Sequence, residues 1–190
     1  MKMLKIPFAK DFSGKYVFPE NARSGRMYFC PLCDQIILFN SEPKGIFFTH
    51  PGELKYPLEV AMYLLAKKII IHTIEEWKAG HISSPVILRK CKICEKNFFQ
   101  PLPDKVTSSK EDCSLNSEYK FDVCIFSAYQ VVAGILIQES DSANEIKKNT
   151  PTVPFVVVSG KAILENPTLW VPVLDNFKQS LCPDCRDQAQ

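Results

Sequence analysis

The sequence predicts an α/β layer arrangement with a small metal-knuckle hairpin ahead of it. Three observations carry that prediction. Between Pro57 and Gly80 the residues Leu58, Ala61, Met62, Leu65, Ile69 and His72 recur at helical spacing on one face. Two strand-like runs follow, Tyr119–Phe126 and Val131–Gln138, and after a polar stretch comes "VPFVVVS", apolar without alternation, as in a strand buried on both faces. Three C-x-x-C pairs punctuate the chain at Cys30/Cys33, Cys91/Cys94 and Cys182/Cys185.

Taken in order, the residues up to about Gly25 are broken by Pro and Gly, which predicts an irregular arm. "MYFCPLCDQIILF", the breaker "NSEPKG" and "IFFTH" then read as a knuckle hairpin that ends at Pro51-Gly52. These segments make a first region, 1–52, and the rest a second, 53–190. Pro57 suits a first helical position and Gly80 a helix stop. "PVILRK" is a strand leading into the Cys91 knuckle, and "PLPDKVTSSKEDCSLNS" reads as a polar loop. "SDSANEIKKNT" has a capping residue in Ser140 or Asp141 and Lys147-Lys148 at its end, which predicts a short helix. That helix is a right-handed crossover, placing "VPFVVVS" beside the central strand. "KAILENPTLWVPVLDNF" supplies a helical turn and an apolar docking segment before the last cysteines.

A chain of 190 residues, 46% hydrophobic and 23% charged, can bury a real core. Its net charge of +2 gives no overall electrostatic footprint for nucleic acid. Lys5, Pro7 and Lys10 interrupt any signal-peptide core, and no apolar run reaches membrane-spanning length, so a soluble cytoplasmic protein is expected. Lys67, Lys68, Arg89, Lys90, Lys92 and Lys96 can form a basic stripe for a phosphate backbone, or simply a solvated helix face and a basic turn.

Eight cysteines in a reducing compartment point to metal rather than disulfides. The C-x-x-C turn aims two thiolates at one tetrahedral ion, and zinc is the expected ion. Cys91, Cys94, Cys182 and Cys185 are read as one four-thiolate structural zinc that ties the C-terminus to the loop before the paired strands. Cys30 and Cys33 take His50 as third ligand, with Cys113 or His72 as fourth. The alternative is a knuckle without metal. Cys113 and Cys124 otherwise stand alone.

The order of elements, with Lys120-Phe121-Asp122-Val123 before Ile135-Leu136-Ile137-Gln138-Glu139-Ser140, resembles the competence-protein CoiA-like group of the PD-(D/E)XK nuclease superfamily. That group begins with C-P-x-C and H-F-x-H. Cys30-Pro31-Leu32-Cys33 matches the first, while Phe47 stands where the second has its first histidine. The resemblance covers most of the chain from Tyr28 onward. It implies a nuclease-like core of helix, strand meander, crossover helix and strand, a bacterial or phage-borne role around DNA, and metal-dependent phosphodiester hydrolysis. In such a site two carboxylates hold magnesium or manganese and a Lys or Gln positions the water. Asp122 and Gln138 fit two of those roles, but the family's glutamate is replaced by Leu136, which binds no cation. Glu139 can substitute only if a bulge shifts its strand by one residue. Glu118 and Glu59 are more distant candidates for a second carboxylate.

Two functions therefore stand open at the level of sequence. One is a magnesium-dependent deoxyribonuclease built on Asp122, Gln138 and a relocated Glu139. The other is a catalytically inactive, zinc-stapled domain that binds DNA or another protein.

Overall fold

The computed structural model describes residues 5–43, 45–52, 55–115, 119–138, 153–177 and 181–188. The chain divides into two compact units, Met1–Leu65 and Ala66–Gln190. Strands hold 41% of the described residues and helices 22%, in three antiparallel or mixed sheets. The expected α/β, PD-(D/E)XK nuclease-like core is therefore corrected: this is a strand-dominated protein. The physical reason is local: segments read as arm and loop pair into ladders. The stretch expected to form the crossover helix, 140–150, lies outside the described residues.

In the first unit the N-terminal arm is not irregular. It forms β1 (Lys5–Ile6), β2 (Ala9–Lys10) and β3 (Tyr16–Val17), followed by a 3-10 turn at Pro19–Asn21. The knuckle hairpin is present as β4 (Tyr28–Phe29), β5 (Ile36–Glu42) and β6 (Gly45–Thr49). Together they make a six-stranded sheet in the order β1-β6-β5-β4-β2-β3. Its core is Ile6, Ala9, Tyr28, Cys30, Ile37 and Phe48, with the Phe48 ring 5.0 Å from Tyr28 and 5.6 Å from Phe39. Each large side chain buried there contributes about 1.5–3 kcal/mol.

The long helix α1 (Leu58–Lys78) carries the chain from the first unit into the second. Ala61, Leu65 and Ile69 of the expected apolar face are fully buried, but Leu58 is exposed and Met62 and His72 are half-buried; the covered face instead takes in Ala66, Ile70, Thr73 and Ile74. None of the described helices is long and apolar enough to cross a membrane.

In the second unit β7 (Val86–Lys90) and β8 (Asn97–Pro101) form a hairpin around the Cys91 knuckle, with the short β13 (Leu169–Trp170) beside β7. The larger sheet runs β14-β12-β11-β10-β9, where β9 is Ser108–Leu115, β10 Tyr119–Ser127, β11 Gln130–Gln138, β12 Phe155–Ser159 and β14 Pro172–Asp175. The segment 108–115, expected as loop, is thus an edge strand paired along β10. β12 lies parallel to β11, the central strand. The turn α2 (Gly160–Glu165) follows, capped by the Ser159 hydroxyl, which accepts from the Ala162 N–H. Close packing of this sheet depends on Gly134: a Cβ there would fall 2.3 Å from Cδ1 of Phe121. The last described element is α3 (Pro183–Asp187), entered from Cys182.

Candidate metal centres and the Asp122 strand

The two knuckles share one backbone geometry. In the first, the Cys30 N–H donates to Gln35 O at 2.8 Å and the Asp34 N–H to Cys30 O at 3.0 Å. In the second, the Cys91 N–H donates to Lys96 O at 2.9 Å and the Glu95 N–H to Cys91 O at 3.0 Å. The turn closes because Asp34 and Glu95, the residues after each second cysteine, take φ of +56° and +59°. This left-handed corner swings the two thiols of each pair to the same side.

In the second unit, Cys91, Cys94, Cys182 and Cys185 bring their sulfur atoms within 4.8 Å of one another. Three of the four are buried and Cys94 is half-buried, packed with Phe98 and Leu181. Cys94 Sγ stands 3.6 Å from Cys182 Sγ. A zinc–sulfur bond of about 2.3 Å implies a tetrahedral edge of about 3.8 Å, so the spacing fits such an ion. The Cys182 and Cys94 backbone N–H groups donate to Cys91 and bring its thiol down to about 6, whereas burial pushes Cys185 up to about 12. One thiolate is thus favoured before any cation arrives, while burial works against ionisation of Cys185. The expected four-cysteine group is assembled here, and it can hold a metal such as zinc.

In the first unit, Cys30, Cys33 and His50 form a second group whose donor atoms also lie within 4.8 Å. His50 Nε2 lies 3.2 Å from Cys33 Sγ, and its Nδ1 donates to Gly52 O at 2.9 Å. That outer hydrogen bond sets the tautomer that leaves Nε2 free to ligate. Cys30 and His50 are buried and Cys33 is half-buried. Burial raises the Cys30 thiol as well. These residues too can hold zinc.

The expected fourth ligands do not join. Cys113 is bonded to Cys124 in a disulfide, which also corrects the expectation that the chain holds none. His72 lies half-buried on α1, in the second unit, and belongs to neither group among the described residues.

The proposed nuclease residues are arranged less favourably. The ladder between β10 and β11 closes at Val123↔Ile135, and the Asp122 carboxylate takes up the next amide, accepting from the Ile137 N–H at 2.7 Å. Leu136, where the acid would stand, packs with Phe121, Cys124, Phe155 and Val157. Gln138 closes the β11–β12 ladder opposite Ser159, and the register runs unbroken from Gly134↔Phe155 to that pair. The bulge that would relocate Glu139 is therefore missing from the described part of β11; the register shift on this strand pair lies at Ile125/Phe126 instead. Glu139 and Glu118 lie outside the described residues. Glu59 is an exposed residue of the first turn of α1, in the first unit. Beyond the two cysteine groups, no set of three or more His, Cys, Asp or Glu side chains gathers among the described residues, so magnesium and manganese are unsupported.

The basic stripe also comes apart. Lys67 is 3% exposed and donates to Asp112 Oδ1 at 2.6 Å. Arg89 is 8% exposed and bonds Asp175 Oδ2 at 2.9 Å and Gln100 Oε1 at 3.0 Å. Lys68 faces Glu111 at 3.9 Å and Lys90 pairs with Glu95 at 3.0 Å. Lys92 and Lys96 remain exposed at the knuckle. Sequence reading missed Asp112, which has φ of +48° and also faces Lys120 at 3.5 Å. Only the excess of charged residues in "SSKED" signalled that this segment has charged partners.

Comparison with family models, with curated proteins and with solved structures returned no match, so no family is shown for this chain.

Proposed function

We propose that this chain is a zinc-stapled binding domain without hydrolytic activity, and that DNA is its partner. The observation that carries the reading is the contrast between the two kinds of site. Two separate clusters, one of four cysteines and one of two cysteines and a histidine, are each drawn together and largely buried, while the Asp122 carboxylate is engaged by the backbone of Ile137 beside an apolar Leu136. Among the described residues Asp122 joins no group of three His, Cys, Asp or Glu donors, whereas a hard cation takes six or more oxygen ligands.

The knuckle between β7 and β8 supports the choice of partner. Lys92 and Lys96 are exposed on it, next to Ile93 at 61% exposure, and Phe99 on β8 is 62% exposed. Lysines on a rigid, metal-held turn, with an apolar side chain between them, suit a phosphate backbone.

The test uses the zinc-replete full chain with linear, plasmid and single-stranded DNA. No cleavage in magnesium or manganese is expected. A low-salt gel shift is expected that weakens in the Lys92→Glu/Lys96→Glu protein. Metal-dependent cleavage lost in Asp122→Asn would replace the reading with the hydrolytic one. Absence of any shift would remove DNA as the partner.

A further inference from the structure

We infer that the second unit holds a binding site for a small organic carboxylate with a compact apolar body, in a cavity of about 180 Å³ between the β7–β8 hairpin and the β10–β11 pair. The residues that line it all belong to that unit. Its apolar wall is Ile87, Leu102, Val106, Ile125 and Ala133, all buried. Arg89, Gln100 and Lys105 are the lining side chains with polar end groups.

Hydrogen bonds fix the walls. The Leu102 N–H donates to Pro85 O at 3.0 Å and the Val106 N–H to Pro103 O at 2.9 Å, which pins the segment that joins the hairpin to the larger sheet. Arg89 donates from Nε to Asp175 Oδ2 at 2.9 Å and from Nη1 to Gln100 Oε1 at 3.0 Å, so its side chain is held back from the space. Size then selects the body of the ligand. An apolar cavity of about 150 Å³ takes up benzene, so a ring or branched chain of about six or seven carbons fits here and fused rings do not.

Charge selects the head group. Arg89 and Lys105 are the charged side chains of the lining, and no carboxylate is among the described residues that line it. Asp175 answers Arg89 from outside the lining. Lys105 is exposed and enters no ion pair among the described residues. The lining together with Asp175 is therefore left with a single positive charge, which a carboxylate neutralises and an ammonium would double. This site does not depend on the DNA reading, since Lys92 and Lys96 are not part of the lining.

The experiment titrates the zinc-replete full chain with benzoate, benzamide and benzamidine, which share one shape and differ in charge, while the methyl NMR signals of Ile87, Val106 and Ile125 are followed. Saturable shifts of those methyls are expected with benzoate, with weaker binding of benzamide and the weakest of benzamidine. Val132→Phe, at a half-buried lining position, fills the cavity and should abolish binding. Lys105→Gln should weaken benzoate about threefold to fivefold, the worth of an exposed ion pair, and leave benzamide unchanged. Because Lys105 is exposed, that variant keeps the test decisive even if Val132→Phe fails to fold. No saturable shift with any of the three compounds would overturn the site. Equal binding of all three, or benzoate binding unaltered in Lys105→Gln, would overturn the choice of a carboxylate. Benzoate binding undiminished in folded Val132→Phe would put the ligand elsewhere and overturn the inference.

Discussion

The backbone N–H of Cys182 points at Cys91 Sγ from 3.3 Å, across a sequence separation of 91 residues. The C-terminal C-x-x-C therefore does more than supply ligands. Its helix-entry turn helps ionise a cysteine of the other pair, so metal binding and docking of the C-terminus are one event. Cys182→Ser is expected to lose one zinc per chain and to expose the C-terminal segment to limited proteolysis. Structural zinc contributes about 10–16 kcal/mol in small zinc-finger peptides, so a marked drop in Tm should accompany the loss. Unchanged metal content measured by atomic emission would contradict the arrangement.

Asp112 gives the protein a specific acid sensitivity. The hydrogen bond and charge of Lys67 hold its carboxyl below the usual carboxylate range, aided by Lys120. A carboxyl depressed by folding stabilises the protein above its unfolded value of about 3.9, and that contribution is lost as pH falls through the folded value. Asp112→Asn should therefore lower stability at pH 7, by no more than about 1 kcal/mol because the Asp112 carboxyl is 47% exposed and solvent screens the pair. The difference from the wild type should shrink below about pH 4. Urea melts from pH 7 down to pH 3 check this. A gap that does not narrow in acid would show that the ion pair is not its source.

At Gly134 the limit is steric. The Phe121 ring occupies the volume that a side chain would need, with its Cδ1 2.3 Å from the Cβ position. Phe121 is fully buried and packed near Phe155, so it cannot swing into solvent. Gly134→Ala is expected to cost about 1–3 kcal/mol through overpacking. Pairing it with Phe121→Leu should recover part of that loss. If the double variant simply sums the two single costs, the clash is not the cause.

Replacement of Asp122 separates a structural carboxylate from a catalytic one. Asp122→Asn retains an oxygen to accept from the Ile137 N–H and should stay within about 1 kcal/mol of the wild type. Asp122→Ala should lose about 1–3 kcal/mol, because it leaves that amide without its acceptor. Calorimetry on both proteins decides. Equal losses would mean that the charge, rather than the hydrogen bond, matters at this position.

Much of the metal chemistry was legible in the chain, because C-x-x-C spacing is a local property of a tight turn. The knuckle hairpin, the helix between Pro57 and Gly80 and the strands around Asp122 were legible for the same reason: their periodicity is carried by neighbouring residues. The edge strand Ser108–Leu115 was not legible. Its polar, charged residues read as loop, and only pairing along β10 makes it a strand. The short strands of the N-terminal arm are of the same kind, since two residues carry no periodic signal.

The sequence by itself determined which residue types can meet a soft metal and where the chain must turn to present them. It also showed that position 136 cannot bind a cation, since leucine has no donor atom. The sequence also joined Cys91/Cys94 to Cys182/Cys185, as the structure does. Only the tertiary structure decided that Cys113 bonds Cys124, and that Lys67 and Arg89 turn inward to Asp112 and Asp175 rather than outward as a basic stripe. The physical reason is the same in each case. A turn's geometry follows from a few adjacent dihedral angles, whereas the partner of a thiol or a charge is chosen by how whole strands pack, and burial then makes an unpaired charge too costly to keep.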